Sequence, residues 1–270
     1  MNEPTISSAS QDVFLNCYRG NQGAIRHAAY MRVSKVLVLL HVLRTIRFDL
    51  SGRAVFDYGF GAGTFFRHCP RSAKLFGVEL DSETVREVRE MLLHRGHDVG
   101  ELSAVKIETW QEHALFSRQY DCVVCSHVLE HLDQPSELVR RFQECLKPGG
   151  VVIALLPINE RVRDARHVQT IRRDVVESWL GSTDLKITEW VELDSWLYWL
   201  QPLFTTESGW RHRVAQTISL TLGPVALALG PRLWFRAGDF LGRLTDSRPT
   251  QVAVVLEHKG SKRSTVFPGS

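Results

Sequence analysis

The chain has 270 residues, 44% of them hydrophobic and 23% charged, which is the makeup of a soluble globular protein with one large core. Its net charge of +3 comes without a block of consecutive basic residues, so the sequence does not call for a nucleic-acid partner. The five cysteines lack the spacing of a disulfide framework, which favours a reducing compartment. The polar N-terminus does not resemble a secretory signal. We therefore expect a cytoplasmic protein.

The N-terminal 50 residues predict a helical segment. Residues 1 to about 12 have the composition of a disordered stretch, and a helix pattern then runs from Val13 to roughly Arg47, with a break near Gly20 and Gly23. We expect this segment to pack on the core. It either forms a lid over a ligand or presents an ordinary exposed face.

A glycine-rich turn follows the first predicted strand, Ala54 to Asp57. Three glycines stand at alternate positions, Gly59, Gly61 and Gly63, and the residues from Thr64 to Cys69 can open a helix. Glycine accepts positive φ and carries no Cβ, so such a turn brings backbone close to a ligand at a helix N-terminus. The dinucleotide fingerprint requires its last glycine where Thr64 stands, which disfavours NAD.

The second predicted strand, Ala73 to Leu80, carries a carboxylate near its end. Glu79 lies roughly 20 residues beyond the turn, the position from which an acid can accept both ribose hydroxyls of a nucleoside. Asp81 is a candidate N-cap for the helix that follows. A third strand is predicted from Ala104 to Glu108, and a loop with Thr109 and Trp110 comes after it.

A fourth strand is predicted within the stretch Tyr120 to Leu132, in which an aromatic-Asp pair leads into an apolar run and then into residues that include His127, Glu130 and His131. Its Cys122 and Cys125 form a C-x-x-C, but residues three apart on a strand point to opposite faces, so we expect no metal or redox chemistry there. A helix is predicted from Pro135. The turn Leu-Lys-Pro-Gly-Gly, residues 146–150, then precedes a fifth, fully apolar strand.

The glycine turn, Glu79, the Ser-His-Val-Leu-Glu-His-Leu stretch and the Leu-Lys-Pro-Gly-Gly turn together resemble class I S-adenosylmethionine-dependent methyltransferases, in the branch that includes the ubiquinone-biosynthesis O-methyltransferases. The resemblance implies an α/β fold with a doubly wound, mostly parallel seven-stranded sheet. It also implies S-adenosyl-L-methionine as cofactor, at the carboxyl ends of the strands. The positions implied to bind it are Asp57, Gly59, Gly61, Gly63, Glu79, Leu80, Glu108, Thr109, Trp110 and Ser126.

Methyl transfer to a hydroxyl requires alignment of the nucleophile and removal of its proton, a task that suits histidine near neutral pH. His127 is the first candidate for this general base, with Glu130 and His131 beside it. In the ubiquinone O-methyltransferases an acid at the position of His127 completes what resembles a divalent-metal site. Because His127 replaces that acid, we predict no metal, and a transition metal on the His/Glu/His cluster is the alternative.

The segment 194–250 interrupts the last two predicted strands, Leu185 to Leu193 and Gln251 to Glu257, and we interpret it as a helical insertion into the core formed by 51–193 and 251–259. Its aromatic residues either cap an apolar acceptor or form an amphipathic surface for a bilayer or a partner. The apolar run from Val214 to Gly230 is too short and interrupted to predict a membrane span. Residues 260–270 predict a disordered tail. Candidate substrate contacts are His167, Trp196, Trp199 and Phe204, and the arginines that flank the insertion's apolar run are Arg211, Arg213, Arg232 and Arg236.

We therefore expect an enzyme that methylates a small, fairly apolar acceptor, at oxygen, as a step in a biosynthetic pathway. The alternatives are a membrane-associated lipid or quinone methyltransferase, a methyltransferase that acts on carbon or nitrogen of a natural product, and a cofactor-binding scaffold without activity. The sequence leaves the oligomeric state open.

Overall fold

A seven-stranded sheet in the order β3-β2-β1-β4-β5-β7-β6 forms the centre of the protein. The computed structural model describes residues 29–106, 110, 113–162, 164, 166–194, 198, 201 and 209–261. The strands are β1 Ala54–Tyr58, β2 Lys74–Glu79, β3 Asp98–Ala104, β4 Tyr120–Ser126, β5 Leu146–Pro157, β6 Leu185–Leu193 and β7 Gln251–His258. The helices are α1 Tyr30–Thr45, α2 Ser82–His94, α3 Pro135–Glu144, α4 Arg173–Trp179 and α5 Gly209–Thr245.

Strand pairing is parallel from β3 through β5, and β7 runs antiparallel to both β5 and β6. This confirms the predicted doubly wound, mostly parallel seven-stranded sheet. The chain passes outward from β1 to β3 and then returns to β4, which lies beside β1. The carboxyl ends of β1 and β4 therefore flank a topological switch point, where open α/β sheets bind ligands.

Helices cover both faces of the sheet, which explains why the central strands are continuous apolar runs. One core combines Cys122 and Val124 of β4 with side chains of α1, α2 and α5. The other combines Val123 and Cys125 with side chains of α3 and α4. Cys122 and Cys125 thus point to opposite faces, as predicted, and burial raises the pKa of both thiols.

Local signals account for the helix that follows β2. The carboxylate of Asp81 accepts hydrogen bonds from the backbone N–H of Thr84 at 2.9 Å and from its hydroxyl at 2.7 Å, which caps the first turn of α2. Val85, Val88 and Leu92 then bury one side of the helix against the sheet.

The predicted third strand is wrong in position: β3 spans Asp98–Ala104, whereas the prediction placed it at Ala104 to Glu108. The reason is that β3 is an edge strand that pairs only with β2, so it lacks the apolar run expected of a buried strand. Its register also shifts between Leu75 and Phe76 of β2, beside Gly100, where an added Cβ would lie 2.5 Å from the Phe76 ring.

Two further predictions need correction. The helix expected from Thr64 is a single 3₁₀ turn, Phe66–His68, because Pro70 cannot continue it. The expectation that the apolar run from Val214 to Gly230 is too short and interrupted for a membrane span also changes. In the structure α5 continues beyond a break at Gly230, and the stretch Arg213–Thr245 is long and apolar enough to cross a membrane, by length and composition only.

Candidate functional site

The glycine turn after β1 adopts a conformation that side chains would disrupt. Gly59, Gly61 and Gly63 have φ of 76°, 51° and 66°. A Cβ at Gly59 would lie 2.7 Å from Cγ2 of Val128, and one at Gly63 would lie 2.5 Å from Cγ1 of Val88. The backbone of the turn therefore runs close to the start of the segment after β4 and to α2, while its predicted close approach to a ligand stays a prediction.

Glu79 ties the end of β2 to this turn. Its Oε2 accepts a hydrogen bond from the backbone N–H of Gly61 at 2.7 Å, and its Oε1 accepts one from Leu80 at 2.8 Å. Burial raises the pKa of Glu79, and the two backbone donors oppose that rise. Sequence reasoning identified the acid but missed this second role, in which Glu79 holds the turn in place.

Asp57 is a buried carboxylate near the centre of the sheet, in register with Gly77 of β2 and Val124 of β4. Among the described residues no donor reaches its Oδ1, and the same holds for the hydroxyl of Ser126 at the end of β4. Burial and the nearby charge of Glu79 raise the pKa of Asp57 well above its usual range. A buried acceptor without a donor is costly, so this atom is suited to a cationic or N–H group of a ligand.

Trp110 packs edge-on against Tyr58, at 6.0 Å between ring centroids, and against Phe116, at 5.6 Å. It is buried in the core on the α3 side of the sheet. Its predicted contact with a cofactor stays a prediction. Glu108 and Thr109, the other two candidates from this loop, lie outside the described residues.

His127 lies just past β4 with one acceptor near each ring nitrogen, although among the described residues no hydrogen bond with good geometry reaches either oxygen of Glu130. Its Nδ1 is 3.2 Å from Oε1 of the fully buried Glu130, and its Nε2 is 3.4 Å from Oε1 of Gln251. The residue has φ of 55°, an uncommon value for a side chain other than glycine. Its backbone N–H donates to the carbonyl of Leu155 on β5 at 2.8 Å, which fixes this conformation.

The charge balance around His127 favours the neutral imidazole before reaction. Burial lowers its pKa, and the cationic Lys35 on α1 lowers it further, whereas Glu130 and Gln251 raise it. Burial acts to raise the pKa of Glu130, but the neighbouring His127 and His131 outweigh it and hold that pKa below its usual value. A protonated His127 would donate to both of its neighbours at once.

A buried hydrogen-bond chain, missed by the sequence analysis, supports Gln251. The side-chain Nε2 of Gln251 donates to Oδ2 of Asp194 at 3.0 Å and to the hydroxyl of Ser34 at 3.2 Å. The hydroxyl of Tyr30 donates to Oδ1 of Asp194 at 2.6 Å and accepts from the indole N–H of Trp234 at 2.9 Å. Helices α1 and α5 are thereby connected to the residue that contacts His127.

His131 and His167 lie side by side, with ring centroids 4.9 Å apart. Nδ1 of His131 is 3.1 Å from the carbonyl of Arg166, and Nδ1 of His167 is 2.9 Å from the carboxylate of Glu160. The structure thus brings His167 to the predicted catalytic cluster. Potential ligand atoms of Glu130, His131 and His167 lie within 4.8 Å of one another, so His167 takes the place that the sequence analysis gave to His127 in a hypothetical metal set.

The remaining substrate candidates, Trp196, Trp199 and Phe204, lie outside the described residues. Their assignment to a cap over the acceptor stays a prediction, as do the proposed domain boundaries.

Part of the chain is similar to curated O-methyltransferases. Curated relatives include the ubiquinone biosynthesis O-methyltransferase of Erwinia tasmaniensis, 31% identical over 123 residues, which are 42% of this chain and 49% of the relative. The enzyme of the same description from Escherichia coli O127:H6 is 33% identical over 105 residues, 38% of this chain and 42% of the relative. The chain thus spans about half the length of the curated relatives it matches.

Solved structures share the fold across most of the chain. A coclaurine N-methyltransferase bound to N-methylheliamine and SAH has a TM-score of 0.54 at 15% identity, covering 82% of this chain and 72% of its own. The [4+2]-cyclase SpnF also has a TM-score of 0.54 at 15% identity, covering 83% and 81%. The fold alone therefore does not fix the reaction. A family model described as a methyltransferase domain matches residues 30–202, well over half of the sequence. The chain belongs to this methyltransferase-domain family, as the resemblance of its motifs had implied.

Proposed function

We propose that the protein transfers the methyl group of S-adenosyl-L-methionine to a hydroxyl of a small, fairly apolar acceptor. The observation that carries this proposal is the position of His127, held between Glu130 and Gln251 where β4 ends beside the glycine turn. The curated relatives named as O-methyltransferases support the choice of oxygen. The cofactor supplies a methyl group that its sulfonium already activates, so the chain's own work is to bind, orient and remove a proton.

The residues around the glycine turn fit the cofactor. Asp57 offers a buried oxygen that no donor of the described part of the chain reaches, and this oxygen is suited to the amino group of the methionine moiety. Glu79 keeps lone pairs beyond those used by Gly61 and Leu80, because each carboxylate oxygen can accept more than one hydrogen bond. Those lone pairs suit the ribose hydroxyls.

His127 is the proposed general base. Neutral imidazole accepts the hydroxyl proton, and the resulting imidazolium is stabilised by Glu130 on one side and Gln251 on the other. At 3.4 Å the contact with Gln251 is long for a hydrogen bond, so an acceptor hydroxyl would approach the ring on the Nε2 side. His131 and His167, on the far side of Glu130, would then support the cluster and contact the acceptor.

The test is transfer of labelled methyl from S-adenosylmethionine to a panel of phenols, enols, acids and amines. We expect product only with hydroxylated acceptors. His127→Asn, a residue that tolerates positive φ better than alanine, should lower turnover while calorimetry finds unchanged cofactor affinity. His127→Ala should do the same. Full turnover in both variants would remove His127 as the base, and cofactor binding without turnover on any acceptor would favour the scaffold alternative.

A further inference from the structure

A row of large apolar side chains runs along the outer face of α5. Leu233, Phe240 and Leu244 are 56%, 63% and 68% exposed. Val225 and Leu229 stand four residues apart before Gly230, and Leu233, Phe240 and Leu244 stand seven and four apart after it, so each set lies on one side of its own half of the helix. The complete row of exposed large apolar residues in α5 is Trp210, Val214, Leu220, Val225, Leu229, Leu233, Phe240, Leu241 and Leu244.

The opposite face of α5 is fixed to the rest of the protein. The indole of Trp234 donates to the hydroxyl of Tyr30, and the Phe235 ring packs edge-on against His41 of α1 at 5.3 Å. Ala226, Trp234 and Phe235 are part of the core that α1 shares with the sheet. Although α5 has the length of a membrane span, crossing a bilayer would strip away these contacts.

The break at Gly230 gives α5 a shape that follows a surface. Gly230 has φ of 69° and ψ of 168°, and Pro231 follows it, so the helix axis changes direction between two helical halves. Both halves keep their apolar side outward. Only 28% of the most apolar part of the stretch Arg213–Thr245 is buried inside the protein.

Positive charge borders the apolar row. The helix contains five arginines and a single acidic residue, Asp239. Arg213, Arg232, Arg236 and Arg243 are exposed, and among the described residues none of these four belongs to an ion pair. Helices that lie in the headgroup region of an anionic bilayer typically combine exposed leucine and phenylalanine side chains with neighbouring arginines.

We propose that the outer face of α5 rests on the surface of a bilayer that contains anionic phospholipid, with its apolar row in the headgroup and upper acyl region. The arginines then contact lipid phosphates, and the Tyr30 to Trp234 side stays on the protein. This deepens the proposed function, because a surface-bound enzyme takes fairly apolar acceptors from the membrane. Vesicle binding is measured without methyl transfer, so the two proposals can fail independently.

The test is co-sedimentation of the full chain with vesicles of phosphatidylcholine alone and of phosphatidylcholine mixed with phosphatidylglycerol. We expect binding to the mixed vesicles, weakened by added salt, and little binding to the neutral ones. The double variant Leu233→Glu, Phe240→Glu should bind at least about tenfold more weakly, since it places charge where apolar contact is needed. Leu93→Glu on α2, where the leucine is also exposed, is the matched control and should bind as the original chain does.

Absence of binding to either vesicle type would overturn the proposal, as would unchanged binding by the double variant. Light scattering after gel filtration gives the other decisive outcome. A dimer that the double variant dissociates, in a chain that does not bind vesicles, would show that the apolar row joins two copies of the protein.

Discussion

Asp194 sets the direction in which Gln251 points. Its carboxylate accepts the amide N–H of Gln251 at 3.0 Å, so the amide oxygen faces His127 at 3.4 Å. Burial raises the pKa of Asp194 to about 7, while the hydrogen bonds from Tyr30 and Gln251 act to lower it. The buried carboxylate of Asp194 thereby determines that the amide oxygen of Gln251, and not its nitrogen, faces His127.

Gln251→Leu should move the pH dependence of turnover. A general base acts when neutral, so kcat should fall as pH decreases through the pKa of His127, which lies below its usual 6.5. Gln251 raises that pKa, and its loss should shift the acid limb of the kcat profile to lower pH and reduce kcat. Thr188→Val, which removes a hydrogen bond to Glu257 elsewhere in the β6–β7 pair, is the control. An unmoved acid limb in Gln251→Leu would show that this contact has no part in proton transfer.

Sequence reasoning located the parts of the site that are local in the chain. The glycine turn and Glu79 follow from strand ends and from the steric freedom of glycine, and the role given to Asp57 follows from the family resemblance. The contact of His127 with Gln251 was not predictable in this way. Gln251 is 124 residues from His127 and 57 from Asp194, and Tyr30 is 164 residues from Asp194, so only the folded chain brings them together.

The errors in secondary structure have the same origin. Edge strand β3 carries only two large apolar residues, Val99 and Leu102, because one of its edges faces no other strand of the described residues, so its pattern is weaker than that of β4 or β5. The composition of α5 showed that the helix is rich in apolar residues, but it did not show their orientation. The contact of Trp234 with Tyr30 decides which of them face α1 and which face outward.

Asp57→Asn should strengthen the fold and weaken cofactor binding. The pKa of Asp57 is raised in the folded protein, so stability falls as pH rises through that pKa, and the neutral amide removes this loss. We expect a higher Tm at pH 8 without cofactor. A charge-assisted hydrogen bond to the ligand would be lost, weakening S-adenosylmethionine binding by about 1–3 kcal/mol, or roughly fivefold to 150-fold in Kd by calorimetry.

Glu79→Gln is the contrasting control for this experiment. Its amide nitrogen would face the N–H of either Gly61 or Leu80, so the variant should be less stable than the original chain even without cofactor. Unchanged cofactor affinity in Asp57→Asn would place the methionine end of the ligand elsewhere.

Gly63→Ala should destabilise the protein far more than Gly96→Ala. Both glycines have positive φ, 66° and 75°, so both substitutions carry a backbone cost of about 1–2 kcal/mol. Only at Gly63 does the new Cβ meet a neighbour, at 2.5 Å from Val88, whereas nothing lies within 4 Å at Gly96. Urea denaturation measures the difference between the two variants. An equal loss in the free energy of unfolding for the two variants would mean that the Val88 side chain moves aside at little cost. The turn would then not need its close approach to α2.

Removal of divalent metal should leave methyl transfer intact. The cationic Lys35 and Arg166 lie near enough to act on the charge of the cluster, which disfavours a second cation beside Glu130. Dialysis against EDTA followed by the labelled-methyl assay is the measurement, and His167→Ala is the companion variant. The contrary outcome has three parts: EDTA abolishes turnover, zinc or manganese restores it, and His167→Ala responds to neither metal. Together these results would identify Glu130, His131 and His167 as metal ligands. His127 would then need a different role, because a metal-bound hydroxyl on the acceptor loses its proton without a strong base.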